Sequence, residues 1–210
     1  MASEPEVKRA IAFVDGQNLY HGVKKAFGYS FPNFDPVMLA AAVCQRQGWC
    51  LEETRFYTGV PDYRDDRFWH GFWANKLARL GRQPNVRVYS RSLRYRDKVV
   101  ELPDGSQHKF RTGEEKGIDV RIALDVITLA YDRAYDVALI FSQDQDLSEA
   151  AHEIRRIARK QDRWIKVASA FPVGPGLANR KGIDRSDWVP IDKTLYDSCI
   201  DPRDYRPKQR

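Results

Sequence analysis

Short apolar runs alternate along this chain with longer segments in which apolar residues recur every three or four positions. The runs have the length of buried strands, and the longer segments that of amphipathic helices. Ala10-Ile-Ala-Phe-Val14 is the first run and ends abruptly at Asp15-Gly16. A first helix is expected over Asn18 to Phe27. Asp35-Pro36 is a helix start, with Asp as cap and Pro in the first turn, and the helix it opens runs to about Gln47. Arg55 to Gly59 reads as a second strand. Trp69, Trp73, Leu77 and Leu80 place a helix over Asp66 to Leu80, stopped by Gly81. Val86 to Tyr89 is a third strand. Residues 90–112 read as a projecting basic β-hairpin turned at Asp104-Gly105. Ile118 to Tyr131 is helical, and Asp136 to Phe141 is the clearest buried strand. A helix follows Asp146, then a strand over Trp164 to Ala168 and a loop over 172–187 holding Gly174, Pro175, Gly176 and Gly182. Trp188 to Ile191 is a short strand and Thr194 to Ile200 a short helix. The tail from Pro202 to Arg210 reads as mobile.

Strands separated by helices predict an α/β fold: a three-layer α/β/α sandwich with a central, mostly parallel sheet, to which the basic hairpin is an insertion. In such sheets ligands bind beyond the carboxyl ends of the strands. That rule singles out the acids. Asp15 closes the first strand; Asp144 and Asp146 follow the strand ending at Phe141. Asp119 lies in the first turn of its helix, and its neighbours on that face are Ile122, Ala123, Val126, Ile127 and Ala130. A carboxylate on an apolar face needs a partner, which Lys116 or a metal ion would supply. Converging carboxylates repel, and a hard divalent cation with oxygen ligands removes the penalty. Each acid also has an ordinary explanation. Asp146 with Glu149 fits a capping box, Asp119 favours the helix dipole, and Asp15-Gly16 fits a turn. Asp144 has no evident structural task. Asp125 is the expected partner of Arg121 one turn away.

Composition adds little. The chain has 210 residues, a net charge of +6 and three cysteines without a Cys-x-x-Cys pair. This suits one large cytoplasmic domain with no disulfide framework and no zinc ribbon. No apolar run is long enough for a membrane span. The positive balance hints at an anionic partner. His21, His70, His108 and His152 lack ligand spacing. The Trp69/Trp73 stripe reads as core rather than as a platform for bases.

Phe13-Val-Asp-Gly-Gln-Asn-Leu-Tyr20, Lys116-Gly-Ile-Asp-Val120 and Leu139-Ile-Phe-Ser-Gln-Asp-Gln-Asp-Leu147 occur in the order seen in the NYN domain. The chain resembles the LabA-like branch of that family, within the PIN-like nuclease fold. The resemblance covers residues 8–192, leaving 193–210 as a C-terminal helix and basic tail. It implies a ribonuclease that uses Mg²⁺ or Mn²⁺ and leaves 5′-phosphate and 3′-hydroxyl ends. It assigns Asp15, Asp119, Asp144 and Asp146 as metal ligands and catalytic residues, with Asn18 as their polar neighbour, a further catalytic residue that orients the water or a phosphate oxygen. The family usually has Gly before the first acid of the pair, a small residue between the two and Phe after the second. Here Gln143, Gln145 and Leu147 stand in those places.

On this reading Lys116, Arg91, Arg94, Arg96, Lys98, Lys109 and Arg111 hold the RNA backbone, while Tyr89 and Tyr95 stack on unpaired bases. A homo-oligomer is compatible with it. Two other readings compete. One is a non-catalytic RNA-binding or adaptor protein on the same fold. The other is a phosphatase of the haloacid dehalogenase type, whose chemistry needs a second Asp where this chain has Gln17.

Overall fold

The computed structural model describes residues 2–101, 103–175 and 181–207. Its centre is a six-stranded, fully parallel sheet of β1 (Arg9–Asp15), β2 (Cys50–Val60), β3 (Val86–Ser92), β6 (Val137–Phe141), β7 (Lys166–Pro172) and β8 (Asp187–Ile191). The spatial order is β3-β2-β1-β6-β7-β8. From β1 the chain winds outward through β2 and β3, crosses back to β6, and winds outward the other way. The gap between β1 and β6 is therefore the point at which the winding reverses, the usual ligand crevice of a doubly wound sheet.

Helices cover both faces, as expected. On one side α1 (Gly16–Phe27), α2 (Pro36–Gln47), α3 (Arg67–Leu80) and α6 (Lys193–Asp197) pack on Ala10, Ala12, Val14, Phe56, Leu139 and Phe141. On the other, α4 (Ile118–Tyr131) and α5 (Ser148–Lys160) cover Ile11, Phe13, Ala138 and Ile140. Successive residues of β1 point to opposite faces, and both faces are dry, which is why the run reads as continuously apolar. Asp35 caps α2 through the backbone N–H groups of Val37 and Met38, and Asp66 caps α3 through that of Trp69.

Several expectations are corrected. The hairpin begins later than 90 and ends later than 112: it consists of β4 (Arg94–Glu101) and β5 (Gln107–Glu114), paired antiparallel. Residues 90–92 belong to the main sheet, because β2 runs on to Val60 and pairs Gly59 with Arg91 and Val60 with Ser92. Over the part described, the tail is anchored at Tyr205. The Tyr205 ring packs edge-on to Phe72, and its hydroxyl donates to Asp201 at 2.7 Å. Beneath it lies Lys76, fully buried, whose ammonium donates to the carbonyls of Pro32 and Phe34 and lies over the Tyr205 ring. Residues 208–210 of the tail, and 176–180 of the 172–187 loop with Gly176, lie outside the described residues. Among the described residues no helix is long and apolar enough to cross a membrane.

Candidate active site

Asp15 is the last residue of β1 and the cap of α1. Its carboxylate accepts from the backbone N–H of Asn18 at 3.0 Å. The residue is 5% exposed. Burial pushes its pKa up to about 6. The N–H groups of Asn18 and Gln17 oppose that shift, and the charges of Asp144 and Asp119 add to it. Both of those acids are near enough to Asp15 for their charge to reach it. The register explains how: Val14 pairs with Phe141, so Asp15 comes level with Ser142, just before Asp144.

The turn after β6 is tightly specified. The Asn18 side-chain oxygen accepts from the Gln143 N–H at 3.0 Å, tying α1 to this turn. Ser142 Oγ accepts from the Asp144 N–H, and Ser169 Oγ donates to the Ser142 carbonyl. The expected capping box of Asp146 and Glu149 is absent. The chain first makes a 3₁₀ turn over Gln145–Leu147, so the cap moves back to Asp144, which accepts from the Asp146 N–H at 3.0 Å. Asp144 thus has the structural task that the sequence did not suggest. α5 begins after Leu147 with no side-chain cap. Gln143 and Gln145, the two bulky departures, reach the 181–184 segment. Gln143 donates to the Lys181 carbonyl; Gln145 donates to the Gly182 carbonyl and accepts from the Asp184 N–H.

Asp119 is half-buried in the first turn of α4, behind Gly117, whose φ of +76° suits glycine. The Lys116–Asp119 pair is not formed; Lys116 is exposed and makes no ion pair among the described residues. Asp146 is exposed and is not among the charges that raise Asp15. Asp125 is bound as expected by Arg121 at 2.8 Å, and also by Arg55 and the Tyr57 hydroxyl.

Sequence reading missed Glu115. It leaves the end of β5 and turns back onto the main sheet, where it accepts a short hydrogen bond from the Gly59 N–H. Burial pushes its pKa up to about 7. The charge of Asp15 adds to this, the Gly59 bond opposes it, and Asp119 contributes last. Its one sequence signal was position, directly before Lys116-Gly117. Because the folded carboxyl holds its proton more tightly than the unfolded one, stability falls as pH rises from about 4.5 to 7. Glu115→Gln removes that cost. In metal-free protein it should raise the melting midpoint at pH 8 and leave it unchanged at pH 4, as differential scanning fluorimetry would show.

The basic residues are more committed than expected. Arg91 sits at the end of β3, its guanidinium bonded to the Tyr89 hydroxyl and the Lys116 carbonyl. Arg91 and Arg121 both lie over the Tyr89 ring, and Arg111 over that of Tyr95, so both rings expected to stack on bases already carry arginine partners. On the hairpin Arg96 and Lys98 share Glu114, Lys109 meets Asp97 and Arg111 meets Asp65. Arg94 has no ion pair among the described residues.

Among the described residues no three His, Cys, Asp or Glu side chains converge tightly enough to hold a metal ion. The donor chemistry nevertheless suits one. It is all oxygen, and Asp15 is a buried carboxylate whose ionisation is opposed by its neighbours.

A doubly wound parallel sheet with acids at its switch point is the architecture of a PIN-like nuclease domain. The NYN domain model matches residues 9–161, and the chain belongs to that family. NYN domains are generally nucleases. A Vibrio parahaemolyticus protein of unknown function is similar over 91% of this chain and 97% of its own, at 22% identity and a TM-score of 0.53; this likeness concerns the fold alone. The ribokinase of Giardia lamblia aligns over 88% of this chain and 58% of its own at 11% identity, but its TM-score of 0.40 is too low to bear on the fold. No curated protein matches the chain.

Proposed function

We propose that this chain is a metal-dependent ribonuclease, of the LabA-like branch, that hydrolyses RNA phosphodiesters at the β1/β6 crevice. The observation that carries the reading is Asp15: a buried carboxylate at the winding reversal, with Asp119 and Asp144 acting on it. Asp15, Asp119 and Asp144, with Asp146 at the rim, would hold Mg²⁺ or Mn²⁺, which would supply activation of water and neutralisation of charge on the phosphate. Glu115 adds a carboxyl titrating near neutrality, suited to holding or passing a proton. Asn18 fixes the Asp144 turn through its oxygen, and its amide N–H₂ remains for a phosphate oxygen. Lys116 and Arg91 flank the crevice and bind the strand.

Asp144→Asn tests this cleanly, since asparagine keeps the oxygen that caps the 3₁₀ turn. Labelled single-stranded RNA should be cut by wild type with Mg²⁺ or Mn²⁺ and left intact by the variant. Equal inertness of both, with RNA still bound, would instead indicate the non-catalytic RNA-binding role.

On the hairpin, the basic residue without an ion pair among the described residues should matter most. Arg94→Ala should reduce the slope of log affinity against log salt by about 1. Lys109→Ala should change it less, because Asp97 already neutralises Lys109. Fluorescence anisotropy across a salt series measures both.

A further inference from the structure

Beside the acids lies a cavity of about 180 Å³ walled by Gly16, Gln17, Tyr20, His21, Pro32, Trp69 and Trp73. Gly16 directly follows Asp15, so the cavity begins one residue along the chain from the proposed reaction centre. From this we infer a nucleobase subsite: the cavity takes one base of the RNA strand, next to the phosphate at Asp15. The inference rests on the nuclease reading and adds to it where a base is held.

Three features point to a base. The first is size. The volume suits one flat ring system and falls well below the roughly 300–1,000 Å³ of cavities that enclose drug-sized ligands. The second is the wall. Tyr20 and His21 are in ring contact at 5.4 Å on α1, and Trp69 and Trp73 face the same space from α3. Every base has a π-face, so such a wall accepts any of them. The third is the set of unused polar groups. The His21 imidazole and the indole N–H groups of Trp69 and Trp73, on residues that line the cavity, make no hydrogen bond among the described residues. The Tyr20 hydroxyl is different: it donates to the Ser30 carbonyl, which fixes its ring.

Trp73 is nearly buried and belongs to the core, as the sequence suggested. Trp69 is only partly buried, packed against that core while lining the cavity. The tryptophan stripe thus supplies core on one side and part of a binding wall on the other. Tyr89 and Tyr95 already carry arginine partners, whereas this cavity has none over its rings among the described residues.

The test is equilibrium binding in EDTA, which separates it from cleavage. The probes are a fluorescent single-stranded RNA of ten or so nucleotides and copies carrying one abasic nucleotide at each position in turn. His21→Ala alters an exposed side chain, and Tyr20→Leu is a second variant; thermal melting of both confirms folding. Wild type should lose about tenfold in affinity when one particular position is abasic. Each variant should bind intact RNA about tenfold more weakly, yet bind that abasic RNA as well as wild type does. Variants that weaken intact and abasic RNA equally, or neither, would overturn the subsite while leaving the nuclease reading intact. If wild type binds none of these RNAs the subsite falls, and cleavage of the same RNAs with Mn²⁺ decides the nuclease reading separately.

Discussion

Asp15→Asn should abolish cleavage and at the same time stabilise the metal-free protein. The loss follows from position. Asp15 is the most buried of the acids at the β1/β6 crevice, and the others act on it. Removing a ligand of a catalytic cation forfeits several kcal/mol of transition-state stabilisation, a fall in kcat of at least about a hundredfold. The gain in stability follows from linkage. An acid whose folded pKa is about 6, against 3.8 unfolded, holds its proton more tightly when folded. Stability therefore falls as pH rises from about 4 to 6, and the full cost is present above that. Asparagine keeps the oxygen that accepts from the Asn18 N–H and never ionises. In EDTA at pH 7.5 the variant should be more stable by on the order of 1–3 kcal/mol, and at pH 4 the two should coincide. Added Mn²⁺ should raise the melting midpoint of wild type and leave that of the variant nearly unmoved, since a ligand stabilises only the state that binds it. Calorimetry with and without Mn²⁺ reads all three effects.

Gly16→Ala should damage both stability and activity through one added methyl group. A Cβ there would stand 2.7 Å from the Phe56 ring and 2.9 Å from the Tyr57 carbonyl oxygen. Ring and backbone are both held in the sheet, so the α1 entrance must move instead. Overpacking of this kind costs about 1–3 kcal/mol, or a melting point lower by roughly 2–4 °C per kcal/mol at this size. The displaced residue adjoins Asp15, and small errors at a reacting centre can cost about a hundredfold in rate. The expected pattern is a folded protein melting several degrees lower, with kcat reduced far more than its stability would explain. Wild-type kcat in a folded Gly16→Ala protein would show that this close approach does not position the acid.

What could be read from the chain was what repeats locally. β1 and β6 are continuous apolar runs because both faces of the sheet are covered, and the strand-end rule then led to Asp15 and Asp144. Asp119 was visible as a carboxylate on the inward stripe of α4. The features that escaped depend on distant segments. Glu115 becomes a site residue only because the chain leaving β5 folds back onto Gly59. Arg91 joins the main sheet because β2 outruns its apolar core and keeps pairing to Val60. Asp144 became a cap because a 3₁₀ turn intervened before α5, and Tyr205 is held by a buried lysine on α3. None of these leaves a periodic trace. The hairpin shows the same limit for charge. Its basic residues were plain, but their partners Glu114, Asp97 and Asp65 depend on register and on a separate loop.

The central claim is that the acids at the winding reversal share a divalent cation. An anomalous difference map from crystals grown with Mn²⁺ tests it most directly. The account predicts a single dominant peak, or a close pair, bounded by Asp15, Asp119 and Asp144. A map with no peak at that crevice under saturating Mn²⁺, or with Mn²⁺ held only elsewhere, would contradict it.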